Sequence, residues 1–350
     1  MMRIPSVGID ISDRNIKYVK FAPGKRFVCE AFGEVQMPEG IVVGGQIKDE
    51  GAVARVLRNL VGLKRSAWRG AGAVASLPEE KSFLRALQLT GVKPENAGNA
   101  VRWEMESQIP LSPDELVFDY EIIQASEVRS DHCDVTLTAF PRSLVESYVR
   151  VFARAGIPLI AFELESQAMV RAAGADAPAS ALLIDMGRTR SSLVIIVRGS
   201  IVFTTTIAVG GMLLEENLSK MLGVDRDEAA RIKKEFGLSR QASDGAVFNA
   251  LIPALDALAD ELSRTIRFYQ QDLIKLHGGQ GEIGVILLSG GDANLLGIDT
   301  YLASATQIPC RRADPFSGLT RLIGQGIPPI PRAEALAFTA AIGLAMRNEV

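Results

Sequence analysis

The 350-residue sequence predicts an α/β protein of two similar, facing lobes, with a small α+β (strand–helix–strand) module inserted in the first. Three observations carry that prediction. A strand–aspartate–turn–strand unit occurs twice, as GIDISDRNIKYVKF at 8–21 and LIDMGRTRSSLVII at 183–196. Two buried strands end in glycine pairs, Gly210–Gly211 and Gly290–Gly291. Between about 81 and 155 the buried-strand style gives way to alternating, half-buried strands and amphipathic helices. An internal repeat is the strongest guide to architecture, because each copy marks one structural unit.

Along the chain, strands are expected at about 4–11, 16–22 and 26–34, with turns at Ser12–Asn15 and at 23–25. A helix follows near 51–62, where Val53, Val56, Leu57, Leu60 and Val61 recur at helical spacing. AGAVASLP then reads as a buried strand stopped by Pro78. Helix 96–108, strands 117–123 and 134–140, and helix 143–155 make the inserted module. PLIAFELE resumes the buried-strand style, and an Ala/Gly-rich linker spans 172–180. A second meander runs from 182 to 211. Helices are expected at 211–222, 226–236 and 246–276, a buried strand at 284–291, and one terminal helix at about 333–347. The domain expectation is therefore 1–80 with 156–178 and 333–350, the module at 81–155, and a second lobe at 179–332.

Composition removes several function classes. A hydrophobic share of 47% supports a large core and argues against disorder. The formal net charge of −3 argues against a nucleic-acid surface. Cys29, Cys133 and Cys310 are widely spaced, which fits a reducing compartment rather than a disulfide framework. Two histidines exclude a multi-histidine metal centre. No apolar run of about 18 residues is present, so no transmembrane helix or direct membrane insertion is expected. The N-terminus passes straight into a strand pattern, without a secretory signal.

The repeated hairpin carries the chemistry. Asp10 corresponds to Asp185 and Ser12 to Gly187, whereas the second strands match only with a one-residue slip. Tight turns with small residues expose successive backbone N–H groups that hold phosphate oxygens, and hydroxyls such as Ser12, Thr189, Ser191 and Ser192 add donors. An aspartate at each strand end can hold a magnesium ion through its waters, because magnesium keeps most of its hydration shell. Lys17 and Arg190 supply positive charge for phosphate. Gly210–Gly211 at a helix start and Gly290–Gly291 after a strand permit close approach by a ligand.

The ordered set Asp, Asp–x–Gly, GG and SGG resembles that of the actin-like ATPase superfamily, in which two domains face each other across a nucleotide. VGIDISDRNIKYV, VASLPEEKSFL, WEMESQIPLSPDELVFDYEII, LIDMGRTRSSL and ALAFTAAIGLAMR extend that resemblance over almost the whole chain. They are similar to FtsA and more closely to the PilM family, actin-like cytoplasmic proteins of type IV pilus assembly. The resemblance implies an ATP and Mg2+ site. Asp10 and Asp185 would be the magnesium-associated aspartates. Ser12, Asn15 and Lys17 would form the first phosphate loop, and Gly187, Thr189, Arg190 and Ser191 the second. Gly210 and Gly211 would precede the connecting helix, Lys233 would lie near the ribose, and Gly290, Gly291 and Asn294 would form the adenosine loop. Glu165 would orient an attacking water. The resemblance further implies a place at the cytoplasmic face, peripheral to the inner membrane through protein partners. Those partners would be the N-terminal peptide of a PilN-like inner-membrane protein, held between the first domain and the module, with other pilus components and a homo-oligomer also in view. Trp103 and Phe118 are candidates for that groove by location alone.

The sequence departs from the pattern twice. Ser12 stands where relatives often have glycine, and Ala230 stands where a ribose-contacting glutamate is common, with Glu228 and Glu235 nearby but off that position. Slow hydrolysis, or binding without turnover, is therefore expected. Competing readings are an FtsA-like filament-forming division protein, a small-molecule kinase of the same fold, and a scaffold that has lost nucleotide binding.

Overall fold

The computed structural model describes residues 5–22, 28–63, 68, 70–123, 132–273, 282–323 and 330–347. The turn expected at 23–25 and the 274–276 end of the long helix lie outside these residues. β1 (Ser6–Ile11), β2 (Asn15–Phe21) and β3 (Cys29–Gln36) form the first meander, followed by a two-residue ladder of β4 (Val42–Val43) and β5 (Gln46–Ile47). β6 (Gly72–Leu77) precedes the module strands β7 (Phe83–Thr90), β8 (Leu116–Ile122) and β9 (His132–Pro141). Next come β10 (Leu159–Leu164), the second meander of β11 (Ser180–Met186), β12 (Ser191–Val197) and β13 (Ser200–Ile207), then β14 (Ile286–Ser289) and β15 (Cys310–Arg312).

Two five-stranded sheets result, in the orders β10-β6-β1-β2-β3 and β13-β12-β11-β14-β15. Written from the meander edge, each reads third, second, first, then two parallel additions, so the two sheets share one topology. The repeat seen in the sequence is thus a repeat of whole sheets. Its register corrects one expectation. Asp10 pairs with Lys17 and Asp185 with Ser192, each across a turn of the same length, so the two hairpins superpose without the slip. Residue similarity had suggested the slip, but backbone pairing sets the register. Lys17 is therefore the counterpart of Ser192.

The module is a separate three-stranded antiparallel sheet, β7-β9-β8, with helix Ala97–Gln108 on one face. Leu87, Val101, Met105, Val135 and Leu137 belong to its own core. β7 was not anticipated from the sequence, because FLRALQLT is built mostly from good helix formers. Helix Arg142–Ala155 buries Leu144, Tyr148, Val151 and Phe152 in the large core beside helix Glu50–Leu63, and Arg150 bonds Glu50 at 2.8 Å.

The terminal helix is broken, unlike the single helix expected. Arg332–Ala335 and Thr339–Met346 flank a tighter turn at Leu336–Phe338. The Leu336 carbonyl leaves the helical ladder to accept from the Gly290 amide at 3.0 Å and the Thr339 hydroxyl at 2.9 Å. Helix Thr339–Met346 is buried on every side, as an all-apolar helix requires. It crosses β1 at Gly8 and helix Glu165–Ala173 at Ala168, where a Cβ on Gly343 would overlap the Ala168 carbonyl. Glycine costs about 1 kcal/mol in a helix interior, so this close crossing is what the residue serves. Gly343→Ala is expected to lower stability by about 2 kcal/mol despite the better helix former, because overpacking dominates. Chemical denaturation checks this, and a stabilised variant would show that the crossing is not tight.

Candidate functional site

β1 and β11 are central strands, and both carry an aspartate one residue before their end, beside a tight turn. The two turns face each other across a cleft of about 300 Å³. Its remaining wall comes from Pro78 and Glu80 after β6, Gly290–Asp292 after β14, and the broken segment at Leu336–Ala337. Carboxyl ends of parallel strands are where open α/β sheets place ligands, because the chain there is free to diverge.

The floor is short of positive charge. Ser76 Oγ donates to Asp10 Oδ1 at 2.9 Å and accepts from the Ile11 amide at 3.1 Å. Burial raises the Asp10 carboxyl above its ordinary value, with Lys17 and the Ser76 bond opposing. Burial pushes Asp185 up to about 6; Lys17 opposes this, while Asp10, Asp292 and Glu79 add to it. Glu165, at the start of helix Glu165–Ala173, is raised well above its ordinary value, first by burial and then by Asp10, Asp185, Glu79 and Asp13. Glu79 is also raised by burial, and it accepts from the Ser166 amide at 3.2 Å. Three of the four charge neighbours raising Glu165 belong to the first lobe, and Asp185 belongs to the second.

The first turn is closed on itself. Ser12 Oγ donates to Asn15 Oδ1 at 2.7 Å, and Asn15 Nδ2 donates to Glu34 at 2.7 Å. Lys17 lines the cleft with its ammonium 5.9 Å from the Phe338 ring centre. In the second turn Gly187, Thr189 and Arg190 line the cleft, but Ser191 does not. Ser191 is fully buried, and its hydroxyl donates to the Val209 carbonyl at 2.7 Å. Ser192 faces the cleft instead, as the alternation of a strand requires of the Asp185 partner.

The glycines divide by cause. Gly210 and Gly211 do not line the cleft. A Cβ on Gly210 would lie 2.6 Å from the Arg190 nitrogen, and one on Gly211 would overlap the Asp292 carboxylate. The amides of Gly211 and Met212 donate to the Gly187 and Arg188 carbonyls at 3.1 and 2.8 Å. This helix start braces the second turn. Gly290 adopts φ +89°, and a Cβ there would meet Asp185 Oδ1 at 2.7 Å. Gly291 is the open one; among the described residues only the Ala337 Cβ lies within reach, at 3.9 Å. Asn294 is exposed outside the cleft and donates to the Ala333 carbonyl at 2.7 Å.

Lys233 lines the cleft but is already engaged, bonding Asp292 at 2.6 Å and Glu215 at 2.9 Å, and Glu215 also accepts from Arg188. Glu228 is half-buried and Glu235 exposed, and neither lines the cleft, so neither replaces the glutamate missing at Ala230. Sequence reasoning missed Asp13, Glu80 and Glu215. SLPEE signalled Glu80 only as a motif, and nothing local marked Glu215 as the partner of Lys233.

Among the described residues, no three acidic, histidine or cysteine side chains are close enough to hold a metal directly. Two separate aspartates with raised proton affinity fit a hydrated cation better than a directly liganded one.

Asp185 gives a pH-dependent prediction. Its carboxyl titrates near 6 in the folded protein and near 3.8 ordinarily, so the folded state holds the proton more tightly. That contribution favours folding below pH ~4 and is lost as pH rises through ~6. Asp185→Asn is therefore expected to raise the melting temperature by a few degrees above pH ~6 and to give no gain below pH ~4. Thermal scans without magnesium check this, and a pH-independent difference would contradict it.

Comparison with known proteins agrees with the fold. The chain aligns with a PilM–PilN type IV pilus biogenesis complex structure at TM-score 0.79 and 22% identity, covering 99% of each chain. It aligns with the ethanolamine utilization protein EutJ of Carboxydothermus hydrogenoformans at TM-score 0.58 and 17% identity, covering 97% and 88%. It aligns with ADP-bound MreB5 of Spiroplasma citri at TM-score 0.58 and 16% identity, covering 96% and 94%. These likenesses place the fold among the actin-like proteins, as the sequence predicts. The model of the type IV pilus assembly protein PilM matches residues 8–349, nearly the whole chain, and the chain belongs to that family.

Proposed function

We propose that the chain is a nucleotide-binding scaffold of type IV pilus assembly, or of a related secretion or DNA-uptake machine, at the cytoplasmic face of the inner membrane. The observation that carries this reading is the pair of superposable hairpins that present Asp10 and Asp185 to one cleft, with open room at Gly291. The ADP held by the MreB5 relative supports it. Asp10 and Asp185 hold hydrated magnesium through water. Lys17, Gly187, Thr189 and Arg190 meet the phosphates. Gly291 with Leu336 and Ala337 leaves room for the nucleoside. Magnesium bound there offsets phosphate charge in a cleft whose lining holds seven carboxylates against five cations.

Burial and its acidic neighbours raise the Glu165 carboxyl above its ordinary value. Ser12 and Ala230 stand where the family pattern has glycine and glutamate, and this departure favours slow or absent hydrolysis, with binding rather than turnover as the working state.

A second groove, of about 350 Å³, lies between β8 of the module and β10 of the first sheet. Val117, Phe118, Phe140 and Phe162 line it, and Glu163 and Arg347 border it. β8 and β10 are both edge strands, and an exposed edge can take an extended peptide by backbone pairing. We read it as the seat of the N-terminal peptide of a PilN-like protein, the partner named in the related complex. Phe118 lines the groove, whereas Trp103, 75% exposed on helix Ala97–Gln108, stands outside it.

Two measurements test these readings. In calorimetry with magnesium, Asp10→Ala and Asp185→Ala are each expected to weaken ATP binding by about tenfold or more, the loss of one charge-mediated contact. Binding unaffected by both changes would refute the cleft assignment. A peptide copying the PilN N-terminus of the same genome is expected to bind in the micromolar range or tighter, and Phe118→Ala to weaken it about tenfold, as loss of an aromatic anchor does. No detectable peptide binding would remove the groove assignment.

A further inference from the structure

Arg190 is bonded across the cleft rather than left free. It projects from the β11–β12 turn of the second sheet and donates to Asp13 Oδ2 at 2.6 Å in the β1–β2 turn of the first. It also pairs with Glu80, which follows β6 in the first sheet. The three side chains are 13 to 22% exposed, so solvent screens them only in part. Asp13 has a second set of partners. The Gly44 and Gly45 amides donate to its two oxygens at 3.0 and 2.9 Å. That seat is built: Gly45 takes φ +69° against Pro78, and its carbonyl accepts from Tyr148 Oη at 2.8 Å.

The other cations of the cleft are committed elsewhere. Arg14 pairs with Glu39, Arg188 with Glu215, and Lys233 with Glu215 and Asp292. Lys17 faces both Asp10 and Asp185. A phosphate at the second turn that engages Arg190 must take it from two carboxylates.

We propose that Asp13 and Glu80 form a latch on Arg190, which the terminal phosphate of a nucleotide must open, so that these three residues set the preference between a triphosphate and a diphosphate. This rests on the nucleotide reading of the cleft. When Arg190 turns to the phosphate, Asp13 keeps its two backbone donors and is not left as an unpaired buried charge. Glu80 is the partner that gives way. The latch also ties the two sheets together while it is closed, so its opening frees one lobe relative to the other.

The test compares wild type, the double variant Asp13→Asn with Glu80→Gln, and Arg190→Gln, each titrated with magnesium-ATP and magnesium-ADP. Freeing Arg190 in the double variant is expected to tighten ATP binding by about fivefold or more, the scale of one partly screened ion pair, and to change ADP binding less. Arg190→Gln is expected to weaken ATP binding more than ADP binding, which brings the ATP-to-ADP ratio toward one. An ATP-to-ADP ratio equal in all three proteins overturns the latch. If no protein binds either nucleotide, the nucleotide reading fails and small-angle scattering judges the latch alone. Without nucleotide, both variants are then expected to show a larger radius of gyration than wild type, and equal radii overturn the proposal.

Discussion

Burial of carboxylates gathered near the ends of two central strands is the constraint on which the rest of the cleft depends. Asp10 and Asp185 each stand one residue before the end of the innermost strand of a five-stranded sheet, and the shared topology brings both to one place. Glu165 and Glu79 add to the same field. In a folded protein such a cluster is an electrostatic cost, and it persists where a cation relieves it. Asp10, Asp185, Glu165 and Glu79 each have a raised proton affinity, with burial as the largest cause. A stable scaffold without a ligand would gain by replacing one of them, and this supports the proposed cation site.

The backbone around that floor is shaped to bring the two hairpins close. Gly290 needs its left-handed conformation, because the chain must turn at once beside Asp185 and Met186. Gly210 and Gly211 let the next helix start against the second turn, where its first amides brace the Gly187 and Arg188 carbonyls. The break at Leu336–Phe338 sends one helical carbonyl to Gly290 and turns Leu336 and Ala337 toward the cleft. These features hold the turns rigid, and Gly291 keeps the open space beside them. Helix Glu165–Ala173 carries the same order outward. Glu165 faces the cleft, whereas Gln167 lines the groove between module and first sheet, so one short helix borders both candidate sites.

Much of this was legible in the sequence, because the relevant signals are local. The period-two apolar runs marked the strands, and the repeated Asp-turn marked the two sheets. Helices Gly211–Leu222 and Arg226–Phe236 start and stop at their glycine and aspartate signals. What escaped depends on pairing between distant segments. Register, not residue likeness, decides that Ser192 and not Ser191 faces the cleft. Asn294 sits in the expected loop, yet its amide is drawn to Ala333, 39 positions away. The terminal helix has no proline or glycine at its break, where the Leu336 carbonyl accepts from the distant Gly290 amide. Lys233 was found from its motif, but its partners Glu215 and Asp292 come from two other elements. The latch on Arg190 joins three segments that share no sequence pattern.

The central claim is that Asp10 and Asp185 together hold one divalent cation beside a nucleotide. The most direct measurement is a crystal structure with a non-hydrolysable ATP analogue and Mn2+ in place of Mg2+, collected at the manganese absorption edge. The account predicts a single anomalous peak between the two carboxylates, separated from both by ordered water, with phosphate density at the two hairpin turns. A peak elsewhere, or nucleotide bound outside this cleft, would contradict it.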